Sequence, residues 1–282
     1  MPPRIFFLTQ LALLAFAGNS LLCRIALKQT AIDPTTFVAL RIVSGALMLW
    51  LVLHLRKRNA RPLEGNWYGA LALLAYAVAF SFAYTRIPAG TGALLLFASI
   101  QISMILYGLL IGERLSFVQG VGVGLAVCGL AALLLPAFSA PPLFQACLMI
   151  VSGVAWGVYS LLGRGAKDPA SATAGNFIRA APIAIVLFLL NFQLSHVEFD
   201  AAGIGYAVAS GAVTSGLGYI FWYAALKELK VTHAATVQLS VPVLAAFGGT
   251  LFLGEPVTRI LVIASVLILL GVFLVVQAKR AA

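Results

Sequence analysis

The chain is a succession of apolar runs, each about twenty residues long and separated by short clusters of proline, glycine or charge. They fall at roughly 4–27, 34–54, 67–86, 90–111, 116–136, 142–163, 172–193, 202–225, 232–253 and 257–277. A helix rises about 1.5 Å per residue, so about twenty apolar residues match a hydrocarbon layer of about 30 Å. Ten such runs consume nearly all of the 282 residues and leave no length for a soluble domain. Connections such as Arg86-Ile87-Pro88-Ala89-Gly90 and Gly254-Glu255-Pro256 have room only for a turn, so consecutive helices are antiparallel neighbours. The expected fold class is an all-α integral membrane protein of ten transmembrane helices. Only 9% of the residues are charged, against about a quarter in soluble domains, which fits lipid as the solvent.

The formal charge of +10 does not point to nucleic acid, because the basic residues lie in short runs between apolar segments instead of forming one patch. They read as topology signals. Arg4, Arg56, Lys57, Arg58, Arg61, Arg114, Arg164, Lys167, Lys227, Lys230, Lys279 and Arg280 fall on one side, and mainly Lys28, Arg86 and Arg259 on the other. By the positive-inside rule both termini are expected in the cytoplasm, with the protein in the plasma (inner) membrane. Met1 to Ser20 superficially resembles a signal peptide, but this helix has a counterpart in the second half and is read as the first span. Cys23, Cys128 and Cys147 lack CxxC spacing and read as packing residues.

The sequence repeats itself at an offset near 140. Phe16 to Arg24 lies over Trp156 to Arg164 with Ser, Leu, Leu and Arg coinciding, and Gly112-Glu113 matches Gly254-Glu255. The expected organisation is one membrane domain made of two five-helix repeats, 1–138 and 139–282. Five is odd, so the second repeat enters the membrane upside down relative to the first. Inverted repeats of this kind belong to secondary transporters, whose substrate site lies near the midplane between the halves.

Several residues carry a family resemblance. The two Gly-Glu turns, the arginine in the second helix of each half (Arg41 and Arg179), and Leu239-Ser240-Val241-Pro242-Val243 leading into Gly254-Glu255 resemble the drug/metabolite transporter superfamily. Within it the chain looks most like the ten-helix EamA-type exporters, including those for aromatic and neutral amino acids. The resemblance covers essentially the whole chain and implies the fold more firmly than the cargo. Ser99-Ile100-Gln101-Ile102 lacks the proline that the second half carries at Pro242.

A transported solute needs polar or aromatic groups facing an interior cavity. Tyr76, Phe80 and Tyr84 recur every four residues in the third helix; Ser215, Tyr219 and Tyr223 do so in the eighth, beside Trp222. Phe16, Asn19, Ser20 and Cys23 share a face of the first helix, mirrored by Trp156, Tyr159, Ser160 and Gly163 in the sixth. The fourth helix offers Ser99, Gln101, Ser103 and Tyr107, and the ninth offers Thr236, Gln238 and Ser240. Together they predict aromatic walls with neutral hydrogen-bonding groups, suited to a small amphiphile such as an amino acid. The competing reading of each residue is close helix packing or an interfacial aromatic belt. Gly108 with Gly112, and Gly120 with Gly124, have the GxxxG spacing of helix contacts.

Arg41 and Arg179 lie well inside apolar segments and must snorkel, find a partner, attract a substrate carboxylate or stabilise a gate. Arg24 and Arg164, at helix ends, read as interfacial anchors. All eight acids fall in loops or at helix ends, so no carboxylate is expected at the bilayer centre. No paired acids, histidine cluster or activated nucleophile indicates an enzyme, and no spacing indicates a metal or cofactor. The expected function is export of amino acids or similar amphiphiles by alternating access, with rocking of helices three, four and six against eight, nine and one, and Pro242 as a bending point. Drugs, cations or nucleotide sugars are the alternative cargo, and a membrane-embedded enzyme a weaker alternative. The expected partners are a small-molecule substrate and the lipid bilayer, with no nucleic acid and no obligate protein partner.

Overall fold

Polar punctuation sets the helix ends. Proline opens α1 (Pro3–Gln29), α2 (Pro34–Leu55) and α7 (Pro169–Leu194), where its missing N–H would have had no intrahelical partner. Asn66 caps α3 (Trp67–Tyr84) by accepting from the Gly69 N–H at 2.7 Å, and Asp200 caps α8 (Ala201–Val208) by accepting from the Gly203 N–H at 2.8 Å. These helices begin equivalent spans of the two repeats, so the cap is repeated too. α4 (Ala89–Leu110) is followed by Gly112 at φ 92°, and α10 (Ser240–Leu253) by Gly254 at φ 63°. Both are left-handed positions that favour glycine. α5 (Phe117–Leu134), α6 (Leu143–Gly163) and α11 (Arg259–Gln277) complete the set. The computed structural model describes residues 3–55, 63–112, 114–134, 141–163, 166–194, 197–226, 228–229 and 237–277. Glu113, Arg164 and Thr236 lie outside them.

The eighth span is not one regular helix. α8 passes into a π-helical stretch, Ala209–Leu217, and then into α9 (Gly218–Leu226). Its sequence, Ala-Ser-Gly-Ala-Val-Thr-Ser-Gly-Leu, is rich in residues that give a helix little side-chain support. Wide turns of this kind occur mostly at functional positions. The ninth span is interrupted as well: Val237 and Gln238 are helical, Leu239 is a turn, and α10 starts at Ser240. Pro242 therefore sits in the first turn of a helix, where its missing N–H leaves no break. The interruption lies at Leu239.

Among the described residues nine helical spans are long and apolar enough to cross a membrane and the shorter α10 makes a tenth; together they form a bundle of two inverted five-helix repeats. α2 packs on α7, α5 on α11, and α4 on α10, each pairing a helix with its own mate from the other repeat. α3 packs on α6 as the eighth span packs on α1, and α4 on α6 as α10 packs on α1. This is the pairing that a two-fold axis between the halves generates. Outward-facing positions are apolar to an extent that water would not tolerate: Leu110 is 85% exposed, Phe117 88% and Leu194 83%.

The α5–α11 contact depends on glycine. A Cβ at Gly271 would lie 2.7 Å from the Ala126 nitrogen, and one at Gly129 would lie 2.7 Å from Ile268 Cγ1. The GxxxG expectation is corrected for Gly112, Gly120 and Gly124, where a Cβ would meet nothing within 4 Å; Gly108 is buried. Gly122, one helical face away from Gly120, carries the close approach instead.

Candidate functional site

A narrow cavity lies between the repeats, with free space for little more than a water molecule. Its space is divided among narrow clefts between rings, so a solute must part the side chains to occupy it. Three pairs of lining residues stand at the repeat offset: Phe16 with Trp156, Phe80 with Tyr219, and Phe97 with Gln238. The cavity therefore lies on the pseudo-two-fold axis.

An aromatic belt forms its wall. The Tyr76 ring lies 5.3 Å from Phe80 and 4.8 Å from Trp156, Trp156 lies 5.1 Å from Tyr219, and Tyr219 lies 6.1 Å from Phe16. Each such pair contributes about 0.5–1.5 kcal/mol beyond its buried area, so the wall is held together by contacts that a solute would have to replace.

Of the sequence-predicted residues, Asn19, Ser20, Tyr76, Phe80, Trp156, Tyr219 and Gln238 line this cavity. The others stand elsewhere. Tyr84 is fully buried one turn beyond Phe80, edge-on to it at 4.7 Å, and donates to the Ala89 carbonyl at 3.3 Å. Tyr159 lies tilted against Trp156 at 5.2 Å and donates to the Thr173 hydroxyl at 3.4 Å. Trp222 packs edge-on against Phe16 at 5.6 Å, and Tyr223 packs beside it. The Ser99, Ser103, Ser160 and Ser240 hydroxyls each donate to a carbonyl of their own segment. Ser99, Ser103 and Tyr107 line an apolar groove of about 800 Å³ between α4, α5 and α6, and Gln101, on the same helix, belongs to neither space.

Thr214 also lines the cavity, and Ser210 stands behind it. The sequence reading passed over both. The Asn19 amide oxygen accepts from Ser210 at 2.8 Å and from Thr214 at 3.3 Å, while its nitrogen donates to the Tyr76 hydroxyl at 3.0 Å. This network joins α1, α3 and the π-helical stretch across the bundle. Phe97 was legible as the residue facing Gln238 at the repeat offset; Thr214 carried no signal beyond its place in a run of small residues.

Arg41 stands directly behind this wall, only 1% exposed. Its guanidinium carbon is 5.1 Å from both the Tyr76 and Phe80 ring centroids, a cation–π arrangement. Nη2 donates to the Tyr76 hydroxyl at 3.0 Å and Nε to the Ser215 hydroxyl at 3.3 Å. Nη1 has no partner. Arg41 thus does not snorkel. Its mate Arg179 is half-buried and donates from Nη1 to the Gly175 carbonyl at 2.9 Å and the Glu64 carbonyl at 3.4 Å, tying α7 to the segment before α3. The two arginines match in sequence but not in environment.

One face of the bundle is closed by an ion pair. Arg24 is 7% exposed and its Nε lies 2.8 Å from Glu255 Oε1. The reading of Arg24 as an interfacial anchor is corrected: it is buried between the halves. Its Nη1 donates to the Tyr84 and Thr85 carbonyls at 2.8 and 2.9 Å, while Glu255 Oε2 accepts from the Ala89 N–H at 2.6 Å. The pair therefore satisfies the end of α3 and the start of α4 together. On the opposite face a cleft of about 660 Å³ opens between α3, α6 and α7, lined by Glu64, Asn66, Gly163 and Asn176 among others. Among the described residues, no group of three or more histidine, cysteine or acidic side chains is placed to hold a metal.

Comparison with known proteins agrees with this architecture. The profile of the EamA-like transporter family matches twice, over residues 4–135 and 143–277. An uncharacterized protein of Pseudomonas aeruginosa is 56% identical over 276 residues, covering 98% of this chain and 96% of that protein. A protein of Streptantibioticus cattleyicolor named "Probable terminal-alkyne amino-acid exporter" is 28% identical, covering 84% of this chain and 79% of its own. One of Salmonella typhimurium named "Probable amino-acid metabolite efflux pump" is 26% identical, covering 76% and 74%. A solved crystal structure superposes with a TM-score of 0.66 at 18% identity over 98% of each chain, a likeness of fold. The chain belongs to the EamA-like transporter family.

Proposed function

We propose that this membrane transporter exports amino acids or similar small amphiphilic metabolites by alternating access, across the plasma (inner) membrane and with both termini in the cytoplasm. The observation that carries the reading is the placement of Phe16 with Trp156, Phe80 with Tyr219, and Phe97 with Gln238 around one narrow space on the repeat axis. A site on such an axis can face either side by exchange of equivalent contacts. Aromatic faces suit an ammonium group, and Asn19, Ser20, Thr214 and Gln238 supply neutral hydrogen-bonding groups. The names of the Streptantibioticus and Salmonella relatives support amino-acid cargo.

The latched Arg24–Glu255 face and the cleft on the opposite face support an inward-opening resting state in the proposed orientation. Counterflow in liposomes tests the cargo. Purified protein is given labelled amino acids, a nucleotide sugar and a quaternary ammonium in competition. Exchange of amino acids alone supports the reading; exchange of only the sugar nucleotide or the cation overturns it and leaves the fold intact.

A further inference from the structure

The cavity wall hides a positive charge with no carboxylate beside it. The ion pairs among the described residues join Arg24 and Lys28 to Glu255, and none reaches Arg41. A buried cation held only by hydroxyls and ring faces is costly. Its unpartnered Nη1 is the donor that most needs an anion.

The hydrogen bonds show how that charge reaches the cavity. The Tyr76 hydroxyl oxygen accepts from Arg41 Nη2 and from Asn19 Nδ2, both at 3.0 Å. Both of its lone pairs are therefore engaged. Its own proton has no acceptor among the hydrogen bonds of the described residues, and Tyr76 lines the cavity. Two incoming donors, one of them charged, polarise the O–H and strengthen it as a donor.

We propose that Tyr76 and Arg41 form an anion-reading subsite in which the Tyr76 O–H donates to a carboxylate of the cargo while Arg41 balances its charge from behind. The inference rests on the reading of the central cavity as the cargo site. A single cation behind aromatic walls fits one carboxylate on an apolar or aromatic body. A polyphosphate, needing several converging cations, does not fit. Arg41 is a positioning and charge-balancing residue here, and Tyr76 is the contact.

Thermal stabilisation of the purified full-length protein tests this with four probes of similar shape: phenylalanine, phenylpropionate, phenethylamine and phenylalaninamide. The two carboxylates are expected to raise the melting temperature of the wild type, and the amine and amide are not. Arg41→Gln and Tyr76→Phe are each expected to weaken the carboxylates about tenfold or more, the scale of a lost hydrogen bond to a charged group. Without ligand, Arg41→Gln melts no lower than wild type, because it removes an unpaired buried charge; an arginine with only a structural role would melt lower. Should Arg41→Gln fail to fold, Tyr76→Phe decides. Stabilisation by the amine or amide equal to that by the acids, unchanged carboxylate binding in Tyr76→Phe, or no shift with either carboxylate overturns the inference. Binding of phenylpropionate without phenylalanine upholds it while removing the amino-acid reading.

Discussion

Arg24 and Glu255 stand 231 positions apart in the chain, yet their side chains meet at 2.8 Å and lie 8% and 7% exposed. The pair joins the end of the first span to the turn before the last, and through their other bonds the two residues hold the α3–α4 connection. Opening this face requires those bonds to separate. Under the proposed alternating access they belong to the state closed on this face and bias the equilibrium between the two access states.

Glu255→Gln is expected to destabilise the closed arrangement by about 3–5 kcal/mol, the cost of leaving one partner of a buried pair uncompensated. Arg24→Gln is expected to cost at least as much, since it leaves the buried Glu255 carboxylate with only the Ala89 N–H as hydrogen-bond donor, whereas in Glu255→Gln the Arg24 guanidinium keeps the Tyr84 and Thr85 carbonyls. Thermal denaturation of the two variants checks the order. Equal, negligible shifts in both would mean that the pair does not hold the face shut.

The hydroxyl network divides residues that look alike in sequence. Asn19→Ala removes the group that links Tyr76 to Ser210 and Thr214 and is expected to raise the KM for cargo and lower stability by about 1–3 kcal/mol. Ser160→Ala removes only a bond to the Trp156 carbonyl one turn back in its own helix and is expected to leave KM unchanged. Parallel uptake kinetics of the two variants separate these outcomes.

Glycine substitutions along α5 should divide by face. Gly129→Ala places a Cβ within 3.1 Å of the Ala264 carbonyl and 2.7 Å of Ile268 Cγ1, an overpacking expected to cost about 1–3 kcal/mol. Gly124→Ala meets nothing within 4 Å and is expected to stabilise the helix by about 0.5–1 kcal/mol. Melting temperatures in detergent check the sign of each.

The sequence pattern revealed the architecture because bilayer thickness and the repeat offset both leave linear traces. The Gly112 and Gly254 turns, read as equivalent, are both left-handed. The cavity was legible where aromatic stripes matched across the repeats, as for Phe80 and Tyr219. It was less legible along each stripe. A spacing of four advances about 400° around a helix, so Tyr84 is rotated about 80° from Tyr76 and stands about 12 Å further along; it packs above the cavity instead of lining it. Arg24 at a helix end looks the same in sequence whether it faces headgroups or a partner 231 positions away. The Gly120–Gly124 spacing marks a small-residue face without saying whether a helix covers it. The π-helical turn at Ala209–Leu217, which brings Ser210 and Thr214 to Asn19, has no periodicity that separates it from an ordinary apolar helix.

The account turns on the central cavity being the cargo site and on its opening to each face in turn. A single cysteine in place of Thr214, in a chain with Cys23, Cys128 and Cys147 replaced by serine, reports this through its reaction with a membrane-impermeant thiol reagent applied from either face. With the Arg24–Glu255 pair intact, the reporter is expected to react slowly from that face and faster from the opposite one. Glu255→Gln should reverse the preference, and amino-acid cargo should slow the reaction on the open side. Equal reaction from both faces, unaffected by cargo or by Glu255→Gln, would contradict the account.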